Sequence, residues 1–215
     1  MPRKIIISTA YLPPIDYMMW LYFSDEVLIE AYETYPRQTW RNRCRIVSAN
    51  GLLDLSIPVE KPHNKPAITK EVMISTRHSW QKNHWRAIQS AYSKSPFFIY
   101  YKDAFEAMYN QPPPAKLLDW NYKLLEVIAS QIIPLPQIKY TQEYQKVPAD
   151  MKDLREAFSP KAHRQQQDIS HQLPEYYQVF SASMPFQPNL SILDLLFNIG
   201  PMTIDYLREN AEKGL

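Results

Sequence analysis

Residues 38–59 read Gln38-Thr39-Trp40-Arg41-Asn42-Arg43-Cys44-Arg45-Ile46-Val47-Ser48-Ala49-Asn50-Gly51-Leu52-Leu53-Asp54-Leu55-Ser56-Ile57-Pro58-Val59. Asn50-Gly51 is the strongest short turn signal in the chain, because a type I′ turn needs φ > 0 at both central positions. Folding about it predicts a β-hairpin that pairs Ala49 with Leu52, Val47 with Asp54, Ile46 with Leu55, Arg45 with Ser56 and Cys44 with Ile57. Side chains alternate along a strand, so Cys44, Ile46, Leu53, Leu55 and Ile57 share an apolar face. Arg43, Arg45, Asp54 and Ser56 share the other, and Arg41 is expected to continue it. A slip of one residue would scramble both faces. Pro58 ends the pairing or sits at an edge.

Upstream, residues 5–8 (Ile-Ile-Ile-Ser) read as a buried strand, and Tyr11-Leu12-Pro13-Pro14 turns the chain out of it. Pro14 suits the first turn of a helix over 15–23. Residues 26–31 (Glu-Val-Leu-Ile-Glu-Ala) form a second strand after Ser24-Asp25. Strand, helix, strand predicts a βαβ-like unit with a right-handed crossover.

Downstream, residues 61–66 read as a polar loop and 71–75 as a strand. Ser79 caps a helix running to Tyr92, with Trp80, His84, Ile88 and Ala91-Tyr92 on one stripe. Ser95-Pro96 starts a helix to about Tyr109, and 111–114 break it. Residues 115–131 are amphipathic, with Leu117, Leu118, Asn121, Leu124, Leu125 and Ile128 facing inward. Strands are expected at 137–140 and 176–180, a mobile polar stretch at 159–170, and a final buried helix over 192–199 that stops at Gly200-Pro201. The expected class is α/β: one domain over 1–215, a mixed central sheet built from the βαβ-like unit and the hairpin, flanking helices, and a helix-rich C-terminal half.

Composition narrows the chemistry. The chain has 215 residues, 45% hydrophobic and 21% charged, the balance of a globular protein with a real core. Its net charge of +2 is too small for general DNA binding. One cysteine, Cys44, excludes an internal disulfide and zinc sites built on paired thiolates. No metal and no cofactor are expected. The apolar runs are too short to span a bilayer, and the N-terminus lacks a signal peptide's hydrophobic stretch, so a cytoplasmic location is expected. There are 3 glycines, where about 15 would be usual. Neither GxGxxG nor a P-loop occurs, so any nucleotide must be held by side chains.

Six blocks carry a family resemblance: Ala10-Tyr11-Leu12-Pro13; Gln38-Thr39-Trp40-Arg41-Asn42-Arg43; Leu55-Ser56-Ile57-Pro58-Val59; Trp80-Gln81-Lys82-Asn83-His84; Ala91-Tyr92-Ser93-Lys94-Ser95-Pro96-Phe97-Phe98; and Asn189-Leu190-Ser191-Ile192-Leu193-Asp194-Leu195-Leu196-Phe197-Asn198-Ile199-Gly200-Pro201. Over most of its length the chain resembles the WbqC-like family. Members occur in gene clusters for bacterial O-antigen and other surface polysaccharides. The resemblance implies a cytoplasmic transferase there, one that moves glycine or another acyl group onto a nucleotide-linked amino sugar. It supplies no established catalytic residue. Many members carry Gln-Pro just after the first strand, where this chain has Ser8-Thr9-Ala10, a difference that points to a different substrate if that glutamine contacts it.

Candidate site residues each have two readings. Arg41 and Arg43 could grip a diphosphate, since guanidinium forks match phosphate oxygens and alternate strand residues lie about 7 Å apart; alternatively they are a solvated strand face. Arg45 reads as the partner of Asp54. His84 is a general base for an amine nucleophile or a hydrogen-bonded core residue. Asn42 or Asn83 could donate to a developing oxyanion. Tyr11, Trp40 and Tyr92 form a stacking platform or belong to the core. Lys82 and Lys94 are substrate contacts or surface charges. His63, His78, His163 and His171 read as solvated, and Asn189 and Asp194 as structural.

Two functions compete. One is the acyl transferase, with a nucleotide-sugar as partner and an aminoacyl donor, a charged tRNA being disfavoured by the low net charge. The other is a non-catalytic module that binds a nucleotide-sugar or glycan and scaffolds other enzymes. The sequence leaves the oligomeric state open.

Overall fold

Lys4–Ser8 (β1) and Glu26–Glu30 (β2) pair in parallel, Ile5 opposite Val27 and Ile7 opposite Ile29, with the helix Ile15–Tyr22 (α1) between them. Ile5, Ile6 and Ile7 are all buried, the continuous apolar run of a strand covered on both faces. Gln137–Tyr140 (β5) adds in parallel to β2, and the two-residue strand Lys152–Asp153 (β6) adds in parallel to β1. The sheet is all parallel, in the order β5-β2-β1-β6. The computed structural model describes residues 3–60, 67–132, 135–147, 150–158 and 173–214. The loop expected at 61–66, the whole stretch expected at 159–170, and His63, His163 and His171 lie outside these.

Arg43–Ser48 (β3) and Gly51–Ser56 (β4) form the hairpin as a separate antiparallel sheet. The predicted faces hold: Cys44, Ile46, Leu55 and Ile57 are buried, and Arg45 lies opposite Asp54. The register differs from expectation by two residues, with Arg43 opposite Ser56, Cys44 opposite Leu55 and Ser48 opposite Gly51. Ala49 and Asn50 form the tip, and of the tip residues and Gly51 only Gly51 has positive φ, at 104°. The Ser48 hydroxyl donates to the Gly51 carbonyl at 2.9 Å. This is a turn followed by a left-handed glycine, in place of the I′ turn. A shift of two preserves side-chain parity, which is why the faces survived the change of partners.

Arg41 does not continue the polar face. The strand begins only at Arg43, and the Asn42 N–H donates to the Thr39 carbonyl at 3.4 Å, closing a turn that points Arg41 inward.

The helices Trp80–Tyr92 (α2), Phe98–Asn110 (α3), Leu117–Gln131 (α4) and Ile192–Ile199 (α5) fall close to their expected ranges. Ser191 caps α5, its hydroxyl accepting from the Leu193 N–H. Residues 71–75 are not a strand: Thr69–Glu71 is a short 3-10 turn, followed by isolated bridges from Met73 to Lys116 and Ile74 to Val59. Nor do 176–180 form a strand; Gln178 donates to the Gln187 carbonyl and Asp194 instead of entering a ladder. A last helix, Thr203–Gly214 (α6), went unread, although Thr203, Leu207 and Ala211 are buried at every fourth position.

Long-range bonds lock the start of α5 to the β1–α1 connection and the hairpin. Ser191 N–H donates to the Arg45 carbonyl, Ile192 N–H to Pro13, and Ile15 N–H to Leu190. Asn189, at φ 52°, accepts from the Asp16 N–H through its side chain, a left-handed residue of the type that tolerates it. Among the described residues no helix is long and apolar enough to cross a membrane.

Candidate functional site

The chain runs outward from β1 to β2 to β5 and then returns to the opposite side of β1 to form β6. The order therefore reverses between β1 and β6, and open α/β sheets bind ligands outside the carboxyl ends of strands at such a point. A narrow cleft opens there, lined by Ser8, Thr9, Tyr17, Trp40, Arg41 and Arg155 among others. It leaves about 10 Å³, room for about one water molecule.

A charged network floors the cleft. Arg41, 3% exposed, grips Glu33 through two bonds, Nε to Oε1 and a terminal nitrogen to Oε2, both 2.7 Å. The same terminal nitrogen donates to the Ser8 hydroxyl at 2.6 Å. Arg155 donates to both Asp153 oxygens and to Glu30 Oε2 at 3.1 Å, and its hydrogen bond holds the Asp153 carboxyl below its ordinary pKa. Glu30, wholly buried, accepts further bonds from the Thr141 hydroxyl and the Tyr32 N–H. Ser8, Glu30 and Asp153 are the last residues of β1, β2 and β6, so parallel pairing delivers the polar groups to one edge. The outermost contact is looser: Glu156, 86% exposed, stands 3.7 Å from Arg41.

The loops that frame the cleft are strained and braced. Leu12 and Gln38 hold φ of 41° and 60°, conformations costing about 1–3 kcal/mol that persist only where surroundings impose them. Asn121 of α4 donates to both the Thr9 hydroxyl and the Arg41 carbonyl, and the Tyr11 N–H donates to the Trp40 carbonyl at 2.8 Å.

Tyr11 and His84 meet behind this frame, in the core. The Tyr11 hydroxyl lies 2.9 Å from His84 Nδ1 and 2.5 Å from the Tyr109 hydroxyl. His84 also bonds the Ser56 backbone. Which atom donates in each contact follows the imidazole tautomer and the hydroxyl rotors. Burial lowers the His84 pKa to about 4, with the Ser56 bond acting in the opposite sense. His84 is buried with its Nδ1 engaged by Tyr11, and it does not line the cleft.

The remaining sequence candidates scatter. Trp40 is buried, with Arg45 over its ring at 5.4 Å, while Arg45 also makes a two-point ion pair with Asp54. Asn42 is committed to the hairpin, its side-chain amide donating to the Ile57 carbonyl. Arg43 is half-buried on the hairpin, apart from the ion-paired Arg41. Tyr92 is wholly buried against Phe197. Asn83, Lys82 and Lys94 are exposed, as is His78. Asp194 is wholly buried and accepts from Tyr176 and Gln178. Of the candidates, only Arg41 and Trp40 line the cleft. Glu30, Glu33, Asp153 and Arg155 went unread. Their only local signal was a carboxylate ending or following an apolar strand, since partners such as Arg155 and Glu30 are 125 residues apart. Among the described residues no group of three or more His, Cys, Asp or Glu is placed to hold a metal ion.

The model of the WbqC-like protein family matches residues 9–167. The chain is similar to the uncharacterized protein Rv1507c of Mycobacterium tuberculosis (strain ATCC 25618 / H37Rv), 28% identical over 233 residues, covering 97% of this chain and 98% of the relative. No solved structure matches the chain.

Proposed function

The chain belongs to the WbqC-like protein family, and on that premise we propose that it serves bacterial surface-polysaccharide (O-antigen) biosynthesis as a transferase. In this reading it moves glycine or another acyl group from a carrier to the amine of a nucleotide-linked amino sugar. The amine nitrogen bonds the acyl carbon, the bond from that carbon to its carrier breaks, and the amine gives up a proton. The observation that supports a site at the cleft is the state of Arg41. Nε and one terminal nitrogen are committed to Glu33 and Ser8, the exposed Glu156 stands 3.7 Å from that same nitrogen, and the other terminal nitrogen has no hydrogen bond among the described residues. A substrate phosphate or carboxylate would take a charge-assisted bond from the remaining terminal nitrogen of a guanidinium already held in position. His84 acts through Tyr11, which anchors the Trp40–Arg41 backbone.

The test is an incubation of the purified protein with a nucleotide-linked amino sugar and a glycyl donor, followed by mass spectrometry for the acylated product. Arg41→Lys keeps the charge and loses the two-point fork, and should reduce product at least about tenfold. Unchanged turnover in that variant would remove the cleft from the reaction.

A second reading is a non-catalytic nucleotide-sugar or glycan binder, supported by His84 and Asn42 being held within the fold by Tyr11 and the Ile57 carbonyl. Saturable nucleotide-sugar binding without product, across glycyl and other acyl donors, would select it.

A further inference from the structure

We propose that the protein docks peripherally on an anionic lipid surface, through an apolar knuckle at the start of α3 and a stripe of cations on α2. Single exposed apolar residues are ordinary on a protein surface, whereas a cluster of them marks an interaction site. Of the large hydrophobic side chains among the described residues, the three most exposed are Tyr100 at 75%, Ile99 at 66% and Met202 at 65%. They lie together. Ile99 and Tyr100 stand in the first turn of α3, and the Tyr100 ring packs at that of Phe97, centroids 6.3 Å apart. The Phe97 ring in turn covers Gly200 so closely that a methyl there would collide with it. Gly200–Met202 is one 3-10 turn, which brings Met202 close to the same aromatic pair.

The charge around the knuckle selects its partner. Between Glu71 and Asp103 the sequence carries Arg77, Lys82, Arg86, Lys94 and Lys102 and no carboxylate, in a chain whose net charge is only +2. Lys82 and Arg86 sit four residues apart on α2, side by side on its outer face. Lys94 lies three residues before Phe97, where α2 gives way to α3. All three are exposed, and none has an ion-pair partner among the described residues. The carboxylates nearest the knuckle in sequence, Asp103 and Asp205, are each taken up by a cation, Lys102 at 3.5 Å and Arg208 at 3.4 Å.

A bilayer surface suits both halves of this arrangement. Aliphatic side chains and a tyrosine enter the headgroup boundary, while the flanking cations stay with anionic headgroups. A nucleic acid would use the cations and the Tyr100 ring but leave Ile99 and Met202 idle, since neither has a ring on which a base can stack. A second copy seated on the same patch would bring two like-charged stripes together. None of these residues lines the cleft beside Arg41, so the surface stands whether or not acyl transfer occurs there.

The experiment is co-sedimentation of the full chain with vesicles of phosphatidylcholine alone and of phosphatidylcholine mixed equally with phosphatidylglycerol. Binding to the anionic vesicles should be at least about tenfold tighter than to the neutral ones, and should weaken as salt rises. Ile99→Ser combined with Tyr100→Ser should weaken it at least about tenfold. The melting temperature should not change, because both side chains are exposed. Lys82→Ala, Arg86→Ala and Lys94→Ala together should weaken it by a similar factor. No binding to anionic vesicles, or unchanged binding in the Ile99 and Tyr100 variant, would overturn the assignment. Loss confined to the three-cation variant, with oligouridylate competing for the face, would overturn it in favour of a nucleic acid. A dimer dispersed by the Ile99 and Tyr100 changes, with no vesicle binding, would overturn it in favour of a second copy.

Discussion

The Tyr11 hydroxyl lies 2.9 Å from Nδ1 of His84, inside a core where His84 is only 7% exposed. Burial keeps the imidazole neutral in the fold and lowers its pKa to about 4, against an ordinary 6.5. The unfolded chain therefore takes up the proton first on acidification. The stabilisation from a neutral His84 is complete above about pH 6.5 and is lost as pH falls through 4, in total about 3 kcal/mol. Urea denaturation of wild type and His84→Gln across this window should show the loss only where histidine is present.

Asp194 works with the opposite sign. Burial raises its carboxyl to about 6 against an ordinary 3.8, although bonds from Tyr176 and Gln178 pull it back. The fold holds this proton more tightly than the unfolded chain. Its stabilisation is present below about pH 4 and lost as pH rises through 6, again by about 3 kcal/mol. The two groups offset each other in wild type. Stability should therefore rise with pH in Asp194→Asn and fall with pH in His84→Gln, and parallel slopes in the two variants would refute the assignment.

The buried pair of Arg41 and Glu33 gives a third expectation. Glu33→Gln leaves a guanidinium without its carboxylate in a site 3% exposed, which should cost about 3–5 kcal/mol. Replacing both partners with apolar residues should cost less than either single change, because no charge is then stranded. A double-mutant cycle by chemical denaturation measures the difference.

Two glycines with positive φ should respond unequally to alanine. A methyl at Gly51 meets nothing within 4 Å, whereas at Gly200 it would come within 2.4 Å of the Phe97 ring. Gly51→Ala should cost about 1 kcal/mol from backbone strain alone. Gly200→Ala adds the clash with an aromatic side chain and should cost at least about 2 kcal/mol more. Thermal unfolding of the two variants separates them.

Legibility followed the range of the interaction. The hairpin faces were readable because alternation is local and insensitive to a shift of two. The partners were not, because neither Ala49 nor Asn50 is left-handed and only the following Gly51 has positive φ. The helices α2 and α5 were readable from their stripes and breakers. Arg41 was picked out for its chemistry but misplaced, since its direction is decided by a turn at residues 39–42 and by Glu33 across the loop. The charged network was unreadable. It exists only after Asp153 and Arg155 are brought beside Ser8 and Glu30 by parallel pairing, and nothing in a single segment announces such a meeting.

The pairing of Ile5 with Lys152 also has a temporal consequence. A ribosome adds about 5–20 residues per second, so roughly 7–30 seconds separate the synthesis of β1 from that of its β6 neighbour. During that interval a strand of three consecutive isoleucines has one edge with no partner from its own chain, the kind of edge that templates association. The cleft beside Arg41 is thus among the last features to form. β1 therefore keeps one open edge until most of the chain has been made.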